Sequence, residues 1–211
     1  MKARPTAVAR ALALAGGLAA FGVAVKPRIS ERWRPVIFAA WATALLRLTH
    51  SRLGLRPPEL WRGLRVGITA AALVGTGAAV AVNIPAVRAG MAARATPQPA
   101  WEWLVVRIPL GTAWTEEVAF RGALGSVAEE AFGRRAGQLV SAAVFGTWHI
   151  ADARAAGESV IGTVAVTAVA GWVFAELRRG TGSLAAPLLA HLAANEAGAV
   201  AALWVRGRAR R

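Results

Sequence analysis

Between residues 66 and 87 no side chain carries a charge, and the run consists mostly of Ala, Val and Gly. That length suffices for a helix to cross the hydrocarbon core of a bilayer, which takes about 20 apolar residues. Further apolar segments lie at 11–25, 35–48, 104–125, 138–156, 160–177 and 184–205, separated by linkers that hold most of the Lys, Arg and Pro. With 56% hydrophobic residues and a mean hydropathy of +0.46 over 211 residues, the chain is too apolar for an ordinary soluble domain. We read an all-α polytopic membrane protein of about seven transmembrane helices, within a range of six to eight. The abundant Ala and Gly suit close helix packing, because lipid supplies no hydrophobic drive between helices.

The net charge of +14 would suggest nucleic acid in a soluble protein. Here the basic residues sit at the ends of apolar segments, where they meet anionic headgroups, so the expected partners are a lipid membrane and no nucleic acid. The two sides of a seven-span topology would carry near-equal numbers of Lys and Arg, which leaves orientation open. Lys2, Arg4 and Arg10 precede the first segment, which reads as a retained anchor in preference to a secretory signal, because Gly22-Val23-Ala24 is only a loose cleavage site. Trp101 and Trp103 suit an interface, the nine tryptophans together read as interface anchors and packing, and Pro109 is expected to kink the fourth segment. Ser183 can cap the last helix. The absence of cysteine excludes disulfides and thiol catalysis.

The fourth segment carries three charges near its middle, Glu116, Glu117 and Arg121, and a fourth, Arg107, near its start. A charged side chain near the bilayer centre costs roughly 2.5–3.5 kcal/mol on insertion scales, so such residues are retained where they face one another, a cavity or a reaction. Two more polar couples occupy later segments, Phe145 with His149 and His191 with Asn195. Each couple is spaced by four residues, which places both members on one helix face, whereas adjacent Glu116 and Glu117 are about 100° apart. Taken as segments 104–125, 138–156 and 184–205, the three helices carry these groups near their midpoints. A common depth is what a site buried between helices requires.

A carboxylate and a neutral imidazole can orient and deprotonate water, and imidazole and amide donors can stabilise an oxyanion. No serine stands in an obvious nucleophile motif, so direct attack by water is preferred to an acyl-enzyme. Glu116, His149 and His191 would also make a two-histidine, one-carboxylate zinc set, although no His-Glu-x-x-His motif demands a metal. No cofactor is required by these patterns, and zinc is the one they could accept.

The three patterns in this order resemble those of the CAAX-protease and bacteriocin-processing (CPBP, or Abi) family of membrane-embedded endopeptidases. Glu116, Glu117 and Arg121 match its Glu-Glu-x-x-x-Arg signature, Phe145 and His149 its Phe-x-x-x-His signature, and His191 and Asn195 its His-x-x-x-Asn signature. The stretch 171–195, with Phe174, Leu177-Arg178 and Thr181-Gly182-Ser183-Leu184, is similar to what leads into the last signature. The resemblance covers residues 101–202 and implies an intramembrane endopeptidase with a water-accessible cavity. It implies that Glu116 and His149 activate water, that His191 and Asn195 receive the oxyanion, and that Arg121 holds Glu117. Family members often have eight spans, one more than the segments counted here.

These readings give one integrated membrane domain: helices of low motif content over 1–100, a CAAX-protease-like core over 101–205, and a basic tail over 206–211. The expected substrate is a membrane-associated peptide or protein. The Ala- and Arg-rich composition points to a bacterial cell membrane, where a signal remnant, a bacteriocin-like peptide or a membrane regulator is a more plausible substrate than a prenylated protein. The alternative is a non-catalytic membrane scaffold or bacteriocin-immunity protein on the same fold. An ion transporter would be expected to show internal repeats, and none is found.

Overall fold

Proline and glycine mark most helix boundaries in the computed structural model, which describes residues 5–209. Lys2 and Arg4, and Arg210 and Arg211 of the basic tail, lie outside the described residues. Helix α1 (Pro5–Ala20) continues through a wide turn at Phe21–Val25 and a tight one at Lys26–Arg28. Then come α2 (Arg34–Thr49), α3 (Glu59–Ala81) and the short α4 (Pro85–Ala93), with prolines in the first turns of α2 and α4, where a missing N–H costs nothing. One turn, α5 (Ala100–Glu102), leads into π-helical stretches at Trp103–Trp114 and Glu117–Leu124 and on into α6 (Gly125–Phe132). The rest comprises α7 (Arg134–Trp148), α8 (Ile150–Ala156), α9 (Val160–Thr181) and α10 (Ala185–Ala209). All regular structure among the described residues is helical.

Four helices are long and apolar enough to cross a membrane: Pro5–Arg28, Glu59–Ala81, Val160–Thr181 and Ala185–Arg208. Their outward faces carry uncovered apolar side chains, among them Leu73, Val80, Ile161 and Val166, as lipid contact requires. The other three expected runs fall short for separate reasons. Helix α2 has only 16 residues, and the 104–125 run carries Glu116, Glu117 and Arg121 in its wide turns. Residues 138–156 are not one helix, because the backbone leaves helical geometry at His149 and splits α7 from α8.

Small residues let these helices meet. Gly63 and Gly67 of α3 lie against Ser183, Ala185 and Leu189, and Gly146 of α7 lies against Val164 and Ala168 of α9. The core centres on Trp148, with Phe120, Phe38, Leu18, Leu124 and Phe145 around it. Phe21 and Trp41 stack on Trp148 at 5.8 and 5.9 Å. Of the nine tryptophans, Trp148 alone is wholly buried and serves packing, while the other eight are partly or largely exposed.

The bundle has two polar ends. At one, Ala7 and Ala11 of α1 pack on Val127 and Ala131, and the Leu184 N–H donates to the Leu53 carbonyl at 2.8 Å, joining the loop after α2 to the turn after α9. That turn holds the expected cap, Ser183 Oγ accepting from the Ala185 N–H. At the other end Lys26 pairs with Asp152, Arg107 with Glu31 and Glu102, and Arg94 with Glu158.

Gly137 of α7 faces the backbone of α6 so closely that a Cβ would lie 2.6 Å from the Glu129 nitrogen. Backbone cannot yield as a flexible side chain can, so Gly137→Ala is expected to cost about 1–3 kcal/mol. Gly77→Ala meets nothing within 4 Å. Thermal unfolding in detergent should show a clear drop in midpoint for the first and none for the second.

Candidate active site

Pro109 lies inside the first π-helical stretch, where its missing N–H breaks the regular ladder, and π turns widen the chain on either side of Thr115 and Glu116. Glu116, Glu117 and Arg121 all point inward and are buried. Glu117 Oε1 lies 3.2 Å from Arg121 Nη1, the expected i, i+4 pair, and 2.8 Å from His191 Nδ1 of α10. The Arg121 guanidinium also lies over the Phe145 ring at 4.1 Å and near Phe174 at 5.1 Å. Desolvated cation–π contacts of this kind are worth about 2 kcal/mol. Phe174 in turn stacks on His191 at 4.9 Å, so aromatic faces hold both partners of Glu117.

Glu116 is held differently. The Trp148 indole N–H donates to Glu116 Oε1 at 2.9 Å, and Oε2 is buried with no hydrogen-bond partner among the described residues. That orphan oxygen lies 3.8 Å from both His149 Nε2 and His191 Nε2. His149 sits at the break between α7 and α8, with φ −92° and ψ 1°, and its Nδ1 lies 2.8 Å from the Phe145 carbonyl. A carbonyl only accepts, so Nδ1 must carry the proton, and the Nε2 lone pair faces Glu116. By the same logic His191, with Nδ1 against the Glu117 carboxylate, presents Nε2 to Glu116. The edge of the Phe145 ring braces His149 at 4.8 Å.

Of the six predicted polar residues, five thus meet in one contiguous cluster. Asn195 is turned back, its amide donating to the His191 carbonyl at 3.1 Å, which leaves one further N–H. Glu116 and Glu117, on different helix faces, nevertheless flank the same imidazole, because its two ring nitrogens point different ways. Trp148 is the residue that sequence reasoning missed; nothing in its setting separates it from the other tryptophans, and its role follows from the helix ending one residue before His149. Glu176 pairs with Arg179 on its own helix, and Arg107 pairs with nearby Glu102 and with the sequence-distant Glu31.

The free atoms of Glu116, His149 and His191 suit zinc in type, and both imidazoles have the outer hydrogen bonds that orient metal ligands. Their 3.8 Å separations exceed the roughly 3.4 Å edge of a tetrahedral set with bonds of about 2.1 Å. No group of three or more His, Asp or Glu among the described residues is closed into a metal cluster. Zinc would need these three side chains to move together by a few tenths of an ångström.

Removing one member of a buried ion pair usually costs about 3–5 kcal/mol, because the remaining charge is left uncompensated. Glu117→Gln should therefore lower the unfolding midpoint substantially by stranding Arg121, while Glu116→Gln, whose carboxylate has no ion-pair partner closer than 3.8 Å, should have a small effect. Denaturant unfolding of the two variants in detergent compares them directly.

Residues 98–197, which contain all six predicted site residues, match the family described as type II CAAX prenyl endopeptidase Rce1-like. No curated protein and no solved structure matches the chain. With that domain set among several long apolar helices, the chain is a multi-pass membrane protein of protease type. The match covers just under half of the chain and supports a CAAX-protease family assignment, with residues 98–197 as the Rce1-like domain.

Proposed function

We propose that the chain is an intramembrane endopeptidase that hydrolyses a peptide bond of a membrane-associated peptide or protein, using water activated by Glu116 and His149. The observation that carries this reading is the approach of both His149 Nε2 and His191 Nε2 to within 3.8 Å of the buried, unpartnered Glu116 Oε2. Glu116 Oε2 and His149 Nε2, as the two acceptors, orient a water by its protons and leave its oxygen lone pair toward a substrate carbonyl. Glu116 takes the proton as the water oxygen bonds to the carbonyl carbon, and returns it to the departing amine nitrogen as the C–N bond breaks. Trp148 holds Glu116 in place through its other oxygen.

His191 and Asn195 stabilise the oxyanion in this reading. With the Nδ1 proton directed to Glu117, His191 can donate from Nε2 only as the imidazolium; the neutral ring can only accept there. Asn195 supplies its second N–H after its side chain swings from the His191 carbonyl or with the bond retained. Arg121 is a positioning residue, acting on His191 through Glu117. If a zinc ion is used, Glu116, His149 and His191 would hold it, and it would lower the pKa of bound water.

The proposal extends to topology and place. Beside the four helices long and apolar enough to span, α2, the 103–132 run and α7 are taken as shorter crossings, giving the order α1, α2, α3, 103–132, α7, α9 and α10. We read these as seven passes of a bacterial cell membrane protein, with its catalytic core in 101–205. A signal remnant, a bacteriocin-like peptide or a membrane regulator is the proposed kind of substrate.

The test is cleavage of a membrane-peptide library by the protein in bilayers. General-base groups are worth about 10²–10⁴ in rate, so Glu116→Gln should lose at least about 100-fold while Glu130→Gln, on the exposed turn, retains wild-type activity. Chelation should leave the wild type active; loss restored by added zinc would assign water activation to the metal. Cleavage unchanged in Glu116→Gln would overturn the catalytic reading and favour a scaffold.

A further inference from the structure

The polar end that holds the α6–α7 turn contains a cavity of about 360 Å³ lined in part by Arg121, the partner of Glu117. Its walls include Arg121, Ser126, Glu129, Arg134, Arg178 and Arg179, four guanidinium groups against one carboxylate. Two of those cations are under-used. The buried Arg121 has no hydrogen-bond partner for Nε, Nη1 or Nη2 among the described residues, and its ion pair with Glu117 engages a single nitrogen. Arg178 donates to the Arg52 carbonyl through Nη2, leaving a buried Nε without a partner.

The remaining cations do not cancel one another's unmet need. Arg179 pairs with Glu176 across one turn of α9, and Arg134 is exposed at the start of α7. Glu129 lies at the same cavity as Arg134, Arg178 and Arg179, one carboxylate against four guanidinium groups. A neighbouring cavity of about 810 Å³ shares Arg178 and Gly182 and adds Arg52 and Arg56, so the basic lining continues along this end of the bundle. Planar guanidinium groups around an open cavity match a tetrahedral oxyanion, which accepts several N–H bonds at once.

We propose that this cavity binds a phosphate-type oxyanion, either a lipid headgroup or free phosphate, with Arg134, Arg178 and Arg179 at its mouth and Arg121 innermost. The site stands independently of the proteolytic reading. It also lies one residue from that chemistry, because Arg121 is in contact with Glu117, which holds His191. Occupancy would therefore bear on the orientation of His191 without any contact between the anion and a peptide substrate.

Binding is measured on the full chain in dodecyl maltoside, which carries no phosphate. Inorganic phosphate is titrated by calorimetry, and phosphatidylglycerol is added and counted by native mass spectrometry. Saturable binding of about one ligand is expected. Arg134→Gln and Arg178→Gln should each weaken it about fivefold, the scale of a partly exposed ion pair, and Glu129→Gln should tighten it. Arg28→Gln and Arg88→Gln, at the opposite end, should leave it unchanged. Saturation by phosphate itself supports a free-phosphate site, and saturation by phosphatidylglycerol alone supports a lipid-headgroup site. Absence of saturable binding by both, or equal weakening by the opposite-end variants, would overturn the proposal.

Discussion

Glu117 has no exposed surface, and the arrangement of the later helices depends on how its charge is met. A carboxylate buried without partners would be far too costly to retain, so Arg121 from its own segment and His191 from α10 must both reach it. That requirement ties the 117–124 stretch to α10 in one register. Phe145 and Phe174 then have a defined task, since the Arg121 guanidinium lies on one and near the other, where hydrogen-bond partners are missing. The aromatic rings turn an under-bonded cation into a packed one.

From that anchor the catalytic geometry follows by exclusion. With Nδ1 of His191 held by Glu117, its other nitrogen can only face Glu116, and the break after Trp148 brings the second imidazole to the same oxygen. The break also brings Trp148 to Glu116, so the residue at the centre of the aromatic core is the one that orients the candidate base. Core packing and site geometry are therefore one constraint here. A change that shifts α7 by a fraction of an ångström, such as filling the space at Gly137, would be felt at Glu116 as well as in stability.

The polar couples were legible in the sequence because charge inside an apolar run is costly and helical spacing is regular. Glu117 with Arg121 and Phe145 with His149 are pairs along one segment, and their spacing of four predicts their contact. Contacts between segments were not legible. The His191–Glu117 bond and the Trp148–Glu116 bond join residues 74 and 32 apart, and no local pattern encodes which helices become neighbours. The turn at His149 was hidden for another reason: the apolar residues continue past it into α8, so hydropathy alone sees one segment where the backbone makes two. The four long apolar helices were the most legible of all, because length and composition suffice to specify them.

The account rests on His191 presenting Nε2 to Glu116 because Glu117 holds Nδ1. With only three histidines in the chain, side-chain 15N spectra of the detergent-solubilised protein can be assigned by single substitutions. The account predicts that Nδ1 of His191 is protonated in the wild type and that this preference is lost in Glu117→Gln. A neutral His191 protonated at Nε2 alone, in the wild type, would contradict it.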